Sequence, residues 1–271
     1  MQKVSAGLGG VPETMLWTLH HRAAEAMRQD RIFEDPKAIE IYRSIDYDYR
    51  RNFGRPQRFL GVRSAAFDSE IERFLGRHPD AVIVNLGEGL ETHRYRVVGG
   101  DALWITVDLP ESIAIRERFI KPDEAHVHLP KSALDRSWLE HVPAKRPVLV
   151  TAQGLFMYLP KDAVRALLVD VLGAFERCQI VFDTVPRWFS RRTRSKLGLR
   201  MTPYYRVPEM PWGINRNEIG RTLGGWLGRE VAVGDVGYPT FPRGFERLLT
   251  RAWFSGPLSH LSPTIVRIKA V

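Results

Sequence analysis

An apolar run, Ala81 to Leu86, ends in Gly87-Glu88-Gly89, and a second, "LWITVDLP", ends in Asp108, 21 positions after Gly87. Glycine lets a backbone reach positive φ and approach a ligand closely. A carboxylate about 20 residues beyond such a turn is placed to accept hydrogen bonds from ribose hydroxyls. Singly, a Gly-x-Gly turn is often only a tight connection, and Asp108 could cap the helix in "PESIAIRERFI". In register they predict an adenosine-type ligand. A dinucleotide fingerprint wants a third glycine at the sixth position, which is Thr92, and Glu88 and Glu91 bring negative charge to where a pyrophosphate would sit. A P-loop is excluded because no Gly-Lys-Ser/Thr follows. A cofactor with ribose and adenine but no phosphate fits better. S-adenosylmethionine has that make-up, and nearby carboxylates suit its cationic sulfonium.

Other chemistry-bearing residues are fewer. His20 and His21 precede Arg22 in a helical stretch, where such pairs commonly face solvent. His126 and His128 alternate along a strand and share a face, with no third ligand to complete a metal site. Cys178 is the one cysteine, so the sequence holds neither an intrachain disulfide nor a thiolate cluster.

The elements that position these residues follow from periodicity. In "ETMLWTLHHRAAEAMRQDR", Met15, Leu16, Leu19, Ala23, Ala26 and Met27 fall on one side at spacings of three and four. "EDPKAIEIYRSI" opens with acids and a proline, and "SAAFDSEIERFLGRHPD" closes at Gly76 and Pro79, so residues 1–79 read as a helical cap. From Ala81 onward β-branched runs alternate with amphipathic stretches: "AVIVNLG", "LWITVDLP", "AHVHLP", "PVLVTAQG", "QIVFDTVP" and "TIVRIKAV". This alternation predicts a mostly parallel α/β sheet covered on both faces. Residues 80–185 form its core, 186–227 interrupt the rhythm as a helical insertion, and 228–271, including "GREVAVGDVG", supply the last two strands. All belong to one domain of 271 residues.

The formal charge of +9 is local. Between Asp183 and Glu209 there is no acid but seven bases, Arg187, Arg191, Arg192, Arg194, Lys196, Arg200 and Arg206, so the rest of the chain carries 9 − 7 = +2. That argues against a nucleic-acid-coating surface, and the segment has no recognition helix or RNA-binding signature. With no signal-peptide pattern and no window of about 18 apolar residues, no membrane role is expected and a cytoplasmic enzyme is the default.

Four stretches, "VIVNLGEGLETHRYRV", "VDLPESIAIR", "SALDRSWLEHV" and "TAQGLFMYLP", resemble successive motifs of the leucine carboxyl methyltransferase and polyketide O-methyltransferase family, in order and spacing from about Thr14 to Val185. The resemblance implies a Rossmann-like class I methyltransferase sheet, S-adenosylmethionine as cofactor, and methyl transfer to a carboxylate or phenolic hydroxyl of a small, polyketide-like molecule. It further implies that Arg63 grips the methionine carboxylate, Gly87 and Gly89 approach the methionine portion, Asp108 holds the ribose, and Ala133 and Leu134 flank the adenine. Gln153 stands where the family usually has Glu, and Ala133 where it often has Asp. The N-terminal helix often carries a Tyr facing the substrate at His20–Arg22, so His20, His21 and Tyr158 are the catalytic candidates. An aromatic before a Leu-Pro helix start is more often packing.

The insertion is expected to be a lid in which Trp188, Phe189, Tyr204, Tyr205 and Trp212 line an acceptor pocket and Arg206 or Arg187 pairs an acidic group. Arg191, Arg192, Arg194 and Lys196 are expected to be a solvated face. A methyltransferase for a protein C-terminal carboxylate, and a non-catalytic cofactor-binding or interaction module, are the competing readings.

Overall fold

The computed structural model describes residues 4–5, 7, 9–143, 145–228, 231–236, 254 and 256–270. Four helices precede the sheet: α1 (Thr14–Ala26), α2 (Pro36–Ser44), α3 (Tyr49–Phe53) and α4 (Arg58–Leu75). The Asp35 carboxylate caps α2 by accepting from the Ala38 N–H at 2.8 Å, with Pro36 at the first helical position. Helix α4 starts six residues earlier than the sequence pattern suggests, and its Phe67, Ile71 and Phe74 are buried against Ile83, Leu149, Val181 and Ile265 of the sheet. Each such side chain contributes roughly 1.5–3 kcal/mol of burial.

Seven strands follow: β1 (Val82–Leu86), β2 (Leu103–Asp108), β3 (His126–Pro130), β4 (Val148–Ala152), β5 (Cys178–Thr184), β6 (Val231–Asp235) and β7 (Thr264–Ala270). Their order is β6-β7-β5-β4-β1-β2-β3. β1 to β5 pair in parallel and β7 runs antiparallel to both neighbours, with Thr264 opposite Thr184 and Val231 opposite Ala270. This is the mostly parallel Rossmann-like sheet the sequence predicts. Parts of the expected final segment (Arg229, Glu230, residues 237–253, 255 and 271) lie outside the described residues.

Short helices α5 (His93–Arg96) and α6 (Pro110–Arg116) follow β1 and β2, and the other sheet face packs on α7 (Lys161–Ala174) through Val164, Leu167, Leu168 and Val171. A third apolar cluster joins the N-terminal helices to the insertion: Met15, Leu16, Leu19 and Phe53 meet Tyr205, Val207 and Met210. The insertion contains α8 (Arg187–Thr193), a short hairpin at 200–206 and α9 (Ile219–Leu227). Among the described residues no helix is long and apolar enough to cross a membrane.

Candidate functional site

Strand order reverses at β1, which has β4 on one side and β2 on the other. Open α/β sheets bind ligands at such a reversal, outside the carboxyl ends of the strands. Those ends carry Gly87, Asp108 and Gln153, and a cavity of about 640 Å³ opens over them. That volume is in the range of small-molecule sites.

The turn after β1 needs its glycines. Gly87 and Gly89 have φ of +63° and +54°, and a Cβ on Gly89 would lie 2.8 Å from the Met15 Cβ. Asp108 fastens the turn: its Oδ2 accepts from the Gly89 N–H at 2.7 Å and its Oδ1 from the Leu109 N–H at 2.8 Å. Burial pushes its carboxyl above the usual value, against the lowering effect of those two donors. The Ser112 side chain donates to the same carboxylate, and with about four lone pairs on its two oxygens the group can still accept from a ligand hydroxyl.

The two glutamates of the turn face inward rather than presenting bare charge. Glu88 accepts from Asn85 Nδ2 at 3.1 Å and from the Thr106 hydroxyl, and pairs with Arg116 Nη2 at 3.0 Å. Glu91 pairs with Arg22 Nη1 at 3.1 Å and Arg96 Nη1 at 2.9 Å. The arginines also grip the turn's backbone, Arg22 through the Leu90 carbonyl at 2.5 Å and Arg116 through the Gly89 and Glu91 carbonyls at 2.8 and 2.9 Å. The expected negative patch is therefore neutralised from behind.

Arg63, on α4, is buried beside the cavity and donates from Nη1 to Asp183 Oδ2 at 3.0 Å. The other Asp183 oxygen accepts from the Gly154 N–H at 2.6 Å. Gln153 donates from Nε2 to Glu91 Oε2 at 2.8 Å and to the Ser64 hydroxyl at 3.3 Å, while its buried Oε1 has no partner among the described residues. Ser132 and Ala133 line the cavity next to Asp108. Bare glycine backbone, a carboxylate at the end of β2, a guanidinium and an unfilled amide acceptor in one lining suit a ribose-bearing α-amino acid.

Residues 15–172 match the model of the leucine carboxyl methyltransferase family. The chain belongs to that family. The methyltransferase is 34% identical over 210 residues, 76% of each chain, to the tetracenomycin polyketide synthesis O-methyltransferase TcmP of Streptomyces glaucescens. It is 29% identical over 194 residues, 65% of each chain, to the S-adenosyl-L-methionine-dependent methyltransferase dpfgK of Gibberella zeae. Its fold is that of the CurJ carbon methyltransferase, at 12% identity and a TM-score of 0.54, covering 96% of this chain and 68% of that one. It is an S-adenosylmethionine-dependent methyltransferase.

The acceptor end of the methyltransferase differs from the sequence expectation. Trp188 and Phe189 do line the cavity, but Tyr204, Tyr205, Arg206, Arg187 and Trp212 do not. Tyr204 is exposed under the Arg51 guanidinium, and Tyr205 packs against Phe53 in the third apolar cluster. Trp212 is buried in the core beside Phe182, and Arg187 pairs with Glu218 at the surface. The hairpin strand alternates, so burying Tyr205 turns both neighbours, Tyr204 and Arg206, outward. Substituting Arg206 by Ala is thus expected to leave kcat/KM toward the acceptor within about twofold. Arg191, Arg192, Arg194 and Lys196 are exposed, as the sequence suggests. In place of the misassigned residues, Trp17, Phe59, Leu199, Met201, Met210 and Pro263 supply the wall. Of these, Trp17 had no signal in the helical pattern: two positions after Met15, it falls about 200° round α1 from it.

Leu134 is a second correction: its side chain is exposed and lies outside the cavity lining, because the backbone turns at Ser132, whose hydroxyl accepts from the Leu134 N–H. A third concerns His20 and His21. Neither ring lines the cavity, and both are buried rather than solvated, because α3 and Gln57 cover that face of α1. His20 stacks on Tyr49, and His21 Nδ1 accepts from the Gln57 N–H at 2.9 Å. Tyr158 lines the cavity, with burial pushing its hydroxyl well above the usual value, so it stays protonated at neutral pH.

Burial also pushes His21 down to about 3, helped by His20 and Arg63, and His126 down to about 2, helped by Arg116. In the unfolded chain both titrate near 6.5. Below that pH the unfolded chain binds protons that the folded one refuses, so stability falls as pH drops from about 6.5 toward 3. Urea unfolding at pH 5 should show roughly 4 kcal/mol less stability than at pH 7.5, with about half of the difference gone in His21→Gln. A flat profile over that interval would contradict it.

Proposed function

We propose that this methyltransferase esterifies a carboxylate on a flat, largely apolar small acid of polyketide type by in-line displacement. The cofactor, when bound, supplies a methyl group already activated on a sulfonium. The chain's residues then have only to hold the two partners in line and keep water out. In this reading Asp108 accepts from the ribose hydroxyls, Gly87 and Gly89 let the backbone lie against the methionine portion, Arg63 meets the methionine carboxylate, and Ser132 and Ala133 flank the adenine. The insertion at 186–227 covers the acceptor end.

The observation that carries the acceptor class is the lack of a general base among the described lining residues of that end. Tyr158 is held protonated, His20 and His21 lie on a face of α1 covered by α3 and Gln57, both Asp183 oxygens are occupied by Arg63 and the Gly154 N–H, and His93, the one described histidine in the lining, is tied through Nδ1 to Asp68 in the Glu91–Arg96 cluster at the cofactor end. A carboxylate arrives ionised at neutral pH and needs no base, whereas an ordinary phenol does. The walls, Trp17, Phe59, Trp188, Phe189, Met201 and Met210, offer ring faces and polarisable sulfur to a planar acceptor. They favour a compact small molecule over a peptide terminus.

The test is incubation with labelled S-adenosylmethionine and paired aromatic acceptors that carry a carboxyl group, a phenolic hydroxyl, or both. The expected label is lost on mild alkaline hydrolysis, as a methyl ester is. An alkali-stable label would assign a phenolic ether instead, and label on C-terminal peptides alone would assign a protein substrate.

A further inference from the structure

The basic run of the insertion takes no part in the site, and its charges are left uncompensated. Arg191, Arg192, Arg194, Lys196, Arg200 and Arg206 are all exposed, and none meets a carboxylate among the described residues. Arg28, Lys37, Arg94 and Arg136, by contrast, each meet an acid at the surface, and Arg187 at the start of α8 pairs with Glu218. The six form one face. Arg206 stands opposite Arg200 across the hairpin and lies over Gly198, where a Cβ would fall 2.8 Å from its guanidinium carbon. Arg51 of α3 extends the face, its guanidinium 4.2 Å from the centre of the Tyr204 ring. Among these cations stand two large apolar side chains, Leu197 at 79% exposure and Tyr204 at 61%.

The same elements wall the acceptor end of the cavity from within. Leu199 and Met201 line it, while Arg200 between them faces out, as alternation along extended backbone requires. Trp188 lines it too, and stands three and four positions before Arg191 and Arg192, so all three share one side of α8. With 45% of its surface exposed, Trp188 joins the cavity rim to the basic face.

Like charges so placed repel one another, and an anionic surface turns that repulsion into attraction. The arginine fork matches phosphate. A nucleic acid would engage the cations and the rings but leave Leu197 in water. Leucine, tryptophan and tyrosine beside basic residues are the mixture that settles at the headgroup level of a bilayer.

The geometry points to this outer face of the insertion as a docking surface for an anionic phospholipid bilayer, from which the cavity draws its acceptor. A largely apolar acid dissolves in a bilayer with its carboxylate at the headgroups, level with the rim at Trp188. Contact of this peripheral kind needs no spanning helix. The delivery half of the inference rests on the acceptor class given under Proposed function; the docking half does not.

Cosedimentation of the full chain with vesicles of equal parts phosphatidylglycerol and phosphatidylcholine, against phosphatidylcholine alone, tests docking. Binding is expected to the anionic vesicles only, and should weaken at least about tenfold between about 50 and about 500 mM salt. Replacing Arg191, Arg192 and Arg194 together by Ser should weaken it about 100-fold at an unchanged melting temperature. Leu197→Ser should weaken it about fivefold. Equal binding to both vesicles, parent-like binding by either variant, or tighter binding to a random DNA duplex at equal phosphate overturns docking. For an aromatic acid dissolved in the anionic vesicles, the triple variant should lose about tenfold in kcat/KM, and match the parent within about twofold on the same acid in plain buffer. No loss on the vesicle-borne acid, or the same loss in both settings, overturns delivery. If the parent methylates no acid in either setting, the acceptor reading fails and takes delivery with it, and vesicle binding still decides docking.

Discussion

Replacing Asp108 by Ala is expected to weaken S-adenosylhomocysteine binding at least about 100-fold. The carboxylate ties down the Gly89 and Leu109 N–H groups and, in the proposed complex, accepts from the ribose as well. Two hydrogen bonds to a charged acceptor at about 1.5 kcal/mol each already give 3 kcal/mol, a little over 100-fold in Kd. Asp108→Asn keeps the shape and one acceptor oxygen, so about tenfold is expected there. Calorimetry on folded variants reads both. Binding within threefold of the parent in Asp108→Ala would mean that the ribose does not lie at the end of β2.

The second large effect concerns folding. Arg96 donates to or pairs with Asp35, Asp68, Glu91 and Thr92, and all of these groups are buried. Removing one cationic partner from such a cluster strands carboxylates away from water, which typically costs 3–5 kcal/mol. Arg96→Met should therefore lower the melting temperature by roughly 10 °C. Arg191→Ala, on the exposed face of α8, should stay within about 0.5 kcal/mol of the parent. Equal melting temperatures for the two variants would show that the cluster contributes nothing net.

These two sites illustrate how far the sequence could be read. Gly87, Gly89 and Asp108 were legible because their relation is set by one strand, one turn and the next strand, a distance the chain itself measures. The sheet was legible for the same reason, since apolar runs and their spacing fix which segments are strands. The acceptor wall was not. Whether Tyr204, Tyr205 or Arg206 faces a pocket depends on how a two-strand hairpin docks on α3, 150 residues away in sequence, and periodicity carries no record of that docking. His20 and His21 were misplaced by the same gap: an amphipathic pattern shows the most apolar face of α1, and cannot show that α3 and Gln57 cover a second one. Arg22 was missed although it lies seven residues after Met15, and so on the same side of α1.

The hold that α1 keeps on the turn reaches further than local geometry. Met15 abuts Gly89, and Arg22 clasps the Leu90 carbonyl and Glu91, so in the proposed complex filling the nucleoside seat is coupled to docking of the leading helices. Reciprocity follows: a nucleoside analogue should slow protease cutting near residue 30, more than fifty positions upstream of the loop it touches, and a nick there should loosen the analogue by the same factor.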